Sequence, residues 1–319
     1  MLMESKSVFS NFLRLGLITV LAIFTACKQE TDTKSTELAL NEGEKQKPAP
    51  KKPLSQDFKE YWYAGDAEIT SYTLEQARYG ELREGTAVLI YVTEPFLPEL
   101  QVKADQSDPS NIPVLKLNAT KNYVTGIYPY SIMTSSFYPV HDHQHAIKVS
   151  FSSQEWCGHV YAQLNNREDF ELMSHSYFGS EADEDFHLDK AILENEIWNK
   201  IRIRPADLPI GDLTVIPSLE YIRLSHKELK AYNATASLVK TESLSTYKLY
   251  YPELERTLTI SFTNTFPFSI EGWTDSFKGG YGQDAKILTS KATKLKRIKT
   301  PYWQQNSNKD LYLRDSLGL

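Results

Sequence analysis

From residue 57 onward, apolar and polar positions alternate with a period of two in one short run after another. "AEITSYTLEQ", "TAVLIYVTE", "AIKVSFSS", "HVYAQLN", "FELMSHSYF", "STYKLYY", "RTLTISFTN" and "FSIEGWTDSF" all show it. Each run is rich in Val, Ile, Thr, Tyr and Phe and is bounded by Gly, Pro, Asn or Asp, the signature of strands joined by tight connections. Alternation places one face of each strand against a core and the other in water. So many strands with few helical interruptions predict a mainly β fold, an antiparallel barrel or sandwich.

One stretch breaks the period. In "DEDFHLDKAILENEIWNKIRIRP", Leu188, Ala191, Ile192, Trp198 and Ile201 fall at helical spacings, which predicts one amphipathic helix in the middle of the chain. Asp183, Glu184 and Asp185 precede it, where negative charge suits a helix N-terminus, and Pro205 ends it. The same acidic cluster lacks the glycine and distal glutamate of a calcium loop, so it reads as structural. Three prolines in "RPADLPIGDLTVIP" mark a seam near residues 202–217, with no internal repeat across it.

The N-terminus follows another pattern. Lys6 and Arg14 flank an unbroken apolar run from Leu15 to Ala26 that stops at Cys27. The run is too short to span a bilayer, which takes about 20 residues, and has the length of a signal-peptide core. "FTAC" puts small residues before a cysteine and resembles the lipobox of bacterial lipoproteins, which implies a signal peptide over 1–26 and lipidation of Cys27. Acyl chains contribute about 0.8 kcal/mol per buried CH₂ and would hold the chain on a membrane without a spanning helix. Lys28 and "KQETD" leave both the periplasmic face of the outer membrane and the cell surface open as locations. Residues 27–56 then turn polar, with "EGEKQKPAPKKP", and read as a lipidated cysteine and a disordered tether of roughly 30 Å reach. The β domain is expected over 57–319.

The 319-residue chain carries a net charge of −6 with no basic face, which leaves no footprint for nucleic acid. The basic run "KATKLKRIK" alternates with Leu295 and Ile298 and reads as an exposed strand face.

Two clusters carry candidate chemistry. His141, His143 and His145 lie in "HDHQH". On a strand, alternate side chains sit roughly 6.5–7 Å apart, so two imidazoles could share a zinc, whereas the outer pair, roughly 13 Å apart, could not. Pro139 and Asp142 point instead to a polar connection between strands. Downstream, "SSQEWCGHVY" places Glu155 and His159 two residues either side of Cys157, a spacing that on one strand face would join a base to a thiol. No cation lies nearby to stabilise a thiolate, and Gly158 suggests a bend. The favoured reading of Cys157 is a small buried hydrophobe at the packed end of a strand.

The chain has no G-x-S-x-G, H-E-x-x-H, phosphate-binding glycine loop or dinucleotide fingerprint, and nothing in it calls for a cofactor. "FKGGYGQD" reads as a turn between strands. Among 14 Phe, 19 Tyr and 5 Trp, "EYWYAG", "GIYPYSIMTSSFYP" and "TPYWQQN" are dense patches, suited to packing a large barrel or to meeting a glycan or apolar ligand.

"YWYAGDAEITSYTLEQARYGELREGTAVLIYVTEPF", "SSQEWCGHVYAQLN" and "YWQQNSNKDLYLRDSLGL" together resemble a family of uncharacterised envelope lipoproteins of the Bacteroidetes. Members are sometimes labelled septum formation inhibitor, but the nucleotide-pyrophosphatase motif that belongs to that label is missing here. The resemblance implies a lipid-anchored envelope protein and supplies no catalytic residues. Sequence therefore points to a binder of an apolar ligand, glycan or envelope protein more than to an enzyme, the alternative being an envelope hydrolase using Cys157 or the 141–145 histidines.

Overall fold

The computed structural model describes residues 52–106, 108–141, 145–279 and 285–319. The signal peptide, Cys27, most of the tether, His143 and residues 280–284 of "FKGGYGQD" lie outside the described residues.

The period-two runs form strands of one 16-stranded sheet. In chain order these are β1 (Ala67–Arg78), β2 (Glu81–Leu97), β3 (Val102–Lys103), β4 (Ile112–Thr125), β5 (Tyr128–Pro139), β6 (Lys148–Glu155), β7 (Gly158–Asn166), β8 (Phe170–Ser176) and β9 (Asp183–Leu188). There follow β10 (Ile192–Leu193), β11 (Gly211–Ile216), β12 (Tyr232–Lys240), β13 (Leu244–Tyr251), β14 (Arg256–Thr263), β15 (Ile270–Gly279) and β16 (Lys286–Thr300). Neighbours run β10-β11-β12-β13-β14-β15-β16-β1-β2-β4-β5-β6-β7-β8-β9, with the two-residue β3 alongside β2. All pairings are antiparallel except β10 with β11. The sheet is thus a meander whose first and last strands pair in its middle. Its two edges, β9 and β10, are consecutive in the chain and joined only by residues 189–191. Residues 202–217 form no break, because β11 is bonded to both neighbours there.

Among the described residues four α-helices accompany the sheet: α1 (Gln56–Trp62), α2 (Glu194–Ile203), α3 (Leu219–Ser225) and α4 (Tyr312–Leu317). The predicted middle helix is α2, but it begins later than its spacing suggests. Asp183, Glu184 and Asp185 stand on edge strand β9, where Phe186 and Leu188 keep the alternate, partly buried positions. The i, i+3, i+4 match of Leu188, Ala191 and Ile192 arises from a strand end followed by β10. The folded part also takes in residues that composition assigns to the tether. Leu54 is buried, and the Ser55 hydroxyl accepts the Phe58 N–H at 3.1 Å to cap α1, whose Phe58 and Trp62 enter the core.

α2 shows that the sheet curls. Strands β5 and β14 are six positions apart in the sheet, roughly 29 Å if it were flat. Yet Asn199 accepts a hydrogen bond from Ser136 of β5, and Glu194 binds Arg256 of β14 at 2.6 Å. The two helical residues are five apart, about 7.5 Å along the axis. Only a sheet wrapped around the helix brings both walls that close.

The helix is buried on nearly every side although it reads ENEIWNKIRI. Its polar groups are paired with the sheet. Asn199 Nδ2 donates to the Leu115 carbonyl of β4 at 2.7 Å, and the Trp198 carbonyl accepts from Tyr91 of β2 at 3.2 Å. Glu196 accepts the Ala146 N–H at 2.8 Å, and Arg202 grips Glu68 of β1 through both nitrogens at 2.6 and 2.7 Å. On the outer face, α4 covers Ala67 and Ile69 of β1 with Leu317, so β1 is buried on both sides there.

Candidate functional site

The two sequence clusters lie at opposite ends of β6. His141 and His145 belong to the β5–β6 connection, and Cys157 to the β6–β7 turn. Eight extended residues separate them, roughly 23 Å of strand. They do not converge.

Each has a local role. His145 Nδ1 lies 3.2 Å from Glu196 of α2 and its ring meets the Phe170 ring edge-on, so it braces the buried helix. His141 Nδ1 lies 3.4 Å from the Lys52 carbonyl. Trp156 and Cys157 form the two-residue tip of a hairpin closed by Glu155 opposite Gly158. Cys157 is therefore exposed, not the buried strand residue expected, because the turn falls on the cysteine itself. Glu155, Cys157 and His159 consequently share no strand face, and His159 points outward on β7 opposite Gln154. Gly158 is set by close approach, since a Cβ there would sit 2.8 Å from the Tyr177 side chain.

The Glu155 carboxylate accepts the Cys157 N–H at 2.7 Å, and its hydrogen bond to the thiol holds the thiol above its ordinary pKa. A nucleophilic cysteine needs the opposite shift. Cys157 in the intact protein is expected to react slowly with a disulfide reagent at neutral pH, and Glu155→Gln to speed it several-fold. Stopped-flow rates across pH check this, and equal profiles for both proteins would remove Glu155 as the cause. Among the described residues no three His, Cys, Asp or Glu side chains gather as metal ligands.

A large concavity lies elsewhere, between the β6–β9 end of the sheet and α3. It is a cleft of about 860 Å³, within the usual few hundred to 1,000 Å³ of small-molecule sites. Phe151, Val160, Ala162 and Leu172, the inward residues of β6, β7 and β8, form one apolar wall. Leu219 and Ile222 of α3 form the other. α3 is held there because the Ser218 hydroxyl caps its N-terminus at 3.2 Å and His226 closes its C-terminus in the left-handed region.

Charge is confined to the rim. Glu181, Asp183, Glu184 and Asp185 stand on the sheet side and Arg223, His226 and Lys227 on the helix side. Glu181, in the β8–β9 connection, bridges the two. It accepts from Arg223 at 3.1 Å, meets His226 Nδ1 at 2.9 Å and accepts the Ser176 hydroxyl at 2.9 Å. The Arg223 guanidinium also lies over the Phe178 ring at 4.8 Å. An apolar interior with a charged mouth can bury a hydrocarbon body and leave a polar head at the surface.

Sequence reasoning missed these residues because the cleft walls carry the same inward alternation as the rest of the core. A signal did exist for the buried charges. Glu68, Arg256 and Asp275 occupy the apolar phase of their strands, alongside Tyr72 and Leu74, Leu258 and Ile260, and Trp273 and Phe277 respectively. A charge in that phase marks a buried ion pair.

No family model matches the chain, and no curated protein matches it. Among solved structures, a porin-like protein from Bacteroides uniformis aligns with 10% identity over 72% of this chain and 95% of that one, with a TM-score of 0.21. At that TM-score the likeness carries no argument about fold or activity.

Proposed function

We propose that this protein is a lipid-anchored component of the bacterial cell envelope that holds an amphiphilic ligand, with an apolar body such as an acyl chain in the cleft between β6–β9 and α3. The observation that carries the reading is the cleft itself, about 860 Å³ with aliphatic and aromatic walls and a charged rim. Burying apolar ligand surface there would contribute about 25 cal/mol per Å². The lipobox-like "FTAC" and the polar tether support a membrane-proximal site, because a chain of roughly 30 Å reach keeps the domain within range of lipid.

The test uses the full-length protein exchanged from detergent into amphipol and titrated with a fluorescent acyl probe. Saturable binding is expected, and Ala162→Trp, which fills the cleft from its β7 wall, should weaken it by about tenfold or more, equivalent to 1.4 kcal/mol. Binding that ignores Ala162→Trp in a folded protein would place the probe elsewhere and sink the proposal. Metabolic labelling with an alkynyl fatty acid, lost in Cys27→Ser, tests the anchor independently.

A further inference from the structure

The concave face of the sheet holds a second space, on the other side of α3 from the cleft. Leu219 and Ile222 line the cleft, whereas Glu220, Tyr221 and Leu224 line this inner cavity. Its remaining walls come from β1, β2, β4, β5, β14, β15 and α2. About 80 Å³ of it is open to the centre of a water molecule. On that measure one water needs roughly 10–15 Å³ and occupies about 30 Å³ of liquid, so the cavity suits five to eight waters or one molecule of roughly 160–240 Å³. That is the size of a monosaccharide.

The lining narrows the chemistry. Trp198 and Trp273 meet at 5.2 Å and 87°, presenting indole surface beside Leu89, Leu117 and Phe277. The ionic groups are already engaged. Arg256 binds Glu194 at 2.6 and 2.8 Å and Asp275 at 2.8 and 2.9 Å, and Lys121 binds Glu220 at 2.7 Å. Burial keeps the Asp275 carboxyl above its ordinary pKa in spite of Arg256, so the cavity already resists one of its own negative charges. An anion would add to that strain, and a cation would have to compete with Arg256 and Lys121 for their carboxylates.

Two polar atoms on residues more than nine-tenths buried stand outside these pairs. Gln76 is 4% exposed and Thr134 is 8% exposed, both line the cavity, and neither Gln76 Oε1 nor Thr134 Oγ1 has a hydrogen-bond partner among the described residues. The Gln76 amide nitrogen is used, donating to the Ala77 carbonyl and the Ser290 hydroxyl at 3.3 Å each, which leaves its oxygen as an acceptor. A buried polar atom without a partner costs about 1–3 kcal/mol. A ligand that supplies hydroxyl donors to Gln76 and Thr134 would remove that cost, while its C–H faces pack on the indoles.

We propose that this inner cavity binds a small neutral polyhydroxylated molecule of monosaccharide size. It is distinct from the cleft and independent of any amphiphile held there.

The experiment titrates the full-length protein in amphipol with glucose, galactose and N-acetylglucosamine, with glucosamine and glucuronate as cationic and anionic counterparts, by calorimetry and thermal unfolding. At least one neutral sugar is expected to bind and to raise Tm with concentration. Thr134→Val keeps the side-chain shape and removes the hydroxyl. It should weaken that sugar by about tenfold and leave the ligand-free protein at least as stable. Ala119→Leu, which narrows the cavity from β4, should abolish binding, whereas Ala162→Trp in the cleft should not change it. Ordered water only in a sugar-soaked crystal, no binding by any neutral sugar, binding unaffected by Thr134→Val, or equal binding of glucuronate would each overturn the proposal. Failure of the acyl probe would leave it standing.

Discussion

Arg256→Ala is expected to lower the unfolding free energy by about 3–5 kcal/mol, the scale for removing one partner of a buried ion pair. Domains of this kind have only about 5–15 kcal/mol in total. Arg256 is 1% exposed, forks between Glu194 and Asp275, and lies over the Tyr221 ring at 4.0 Å. Truncation leaves the Glu194 and Asp275 carboxylates together inside the sheet without their shared cation, with the Tyr251 hydroxyl still 2.8 Å from Glu194.

The effect depends on pH, and its sign follows from Glu194. Burial opposes ionisation of that carboxyl, but Arg256 outweighs burial and holds its pKa below the ordinary 4.5. Its contribution in the parent is whole above that value and is lost as pH falls through the lowered one. Without Arg256, burial outweighs the remaining hydrogen bonds and raises the pKa, so stability is lost as pH rises through it. The gap between parent and variant should be widest at neutral pH and narrow on acidification. Urea unfolding at neutral and mildly acidic pH measures it. A gap that stays constant would show that lost packing, not charge, causes the effect.

Arg202→Ala should cost a comparable amount, about 3–5 kcal/mol, for a related reason on β1, three strands away from β14. Its guanidinium binds Glu68 through two nitrogens, donates to the Pro267 carbonyl at 2.9 Å, and lies over Trp62 and Tyr91 at 5.0 and 4.7 Å. Glu68 also accepts from Tyr61 of α1, so one ion pair ties α1, α2 and β1 together. The double variant Glu68→Leu/Arg202→Met removes both charges and keeps the stem packing, and should recover most of the loss, since well-packed apolar replacements of buried pairs are often neutral. A double-mutant cycle reads the coupling directly. A double variant as unstable as Arg202→Ala would mean that the pair supplies more than mutual neutralisation.

The strands were legible because a period of two survives wherever one face meets the core, as Leu249, Tyr251, Leu258, Ile260 and Phe262 do. α1 and α3 were not. Seven residues make only two turns, too few for a helical period, and the N-cap serines Ser55 and Ser218 were their only local signal. α2 is legible through Trp198 and Ile201, but the burial of its polar face is not, because its glutamates, asparagines and arginine look solvated until the partners on β1, β4, β5 and β14 are known. Those partners lie tens of residues to more than a hundred residues away. Cys157 attracted chemical interest through its neighbours in sequence, but a two-residue turn takes it off the strand face that His159 occupies. The cleft could not be read at all, since nothing local distinguishes Phe151 or Leu172 lining a space from the same residues filling one.

The pairing of the first strand with the last has a temporal consequence. β1 finds one neighbour in β2 within a few residues, but its other neighbour, β16, is made about 230 residues later, with Glu68 opposite Lys299. Until then the emerging chain carries an open, bondable β1 edge beside Glu68, the buried partner of Arg202. Such distant pairing makes folding slow, and an unpaired edge invites association with other chains. Shielding of that edge during synthesis, more than the stability of the finished sheet, would then limit how much of this protein reaches its native state.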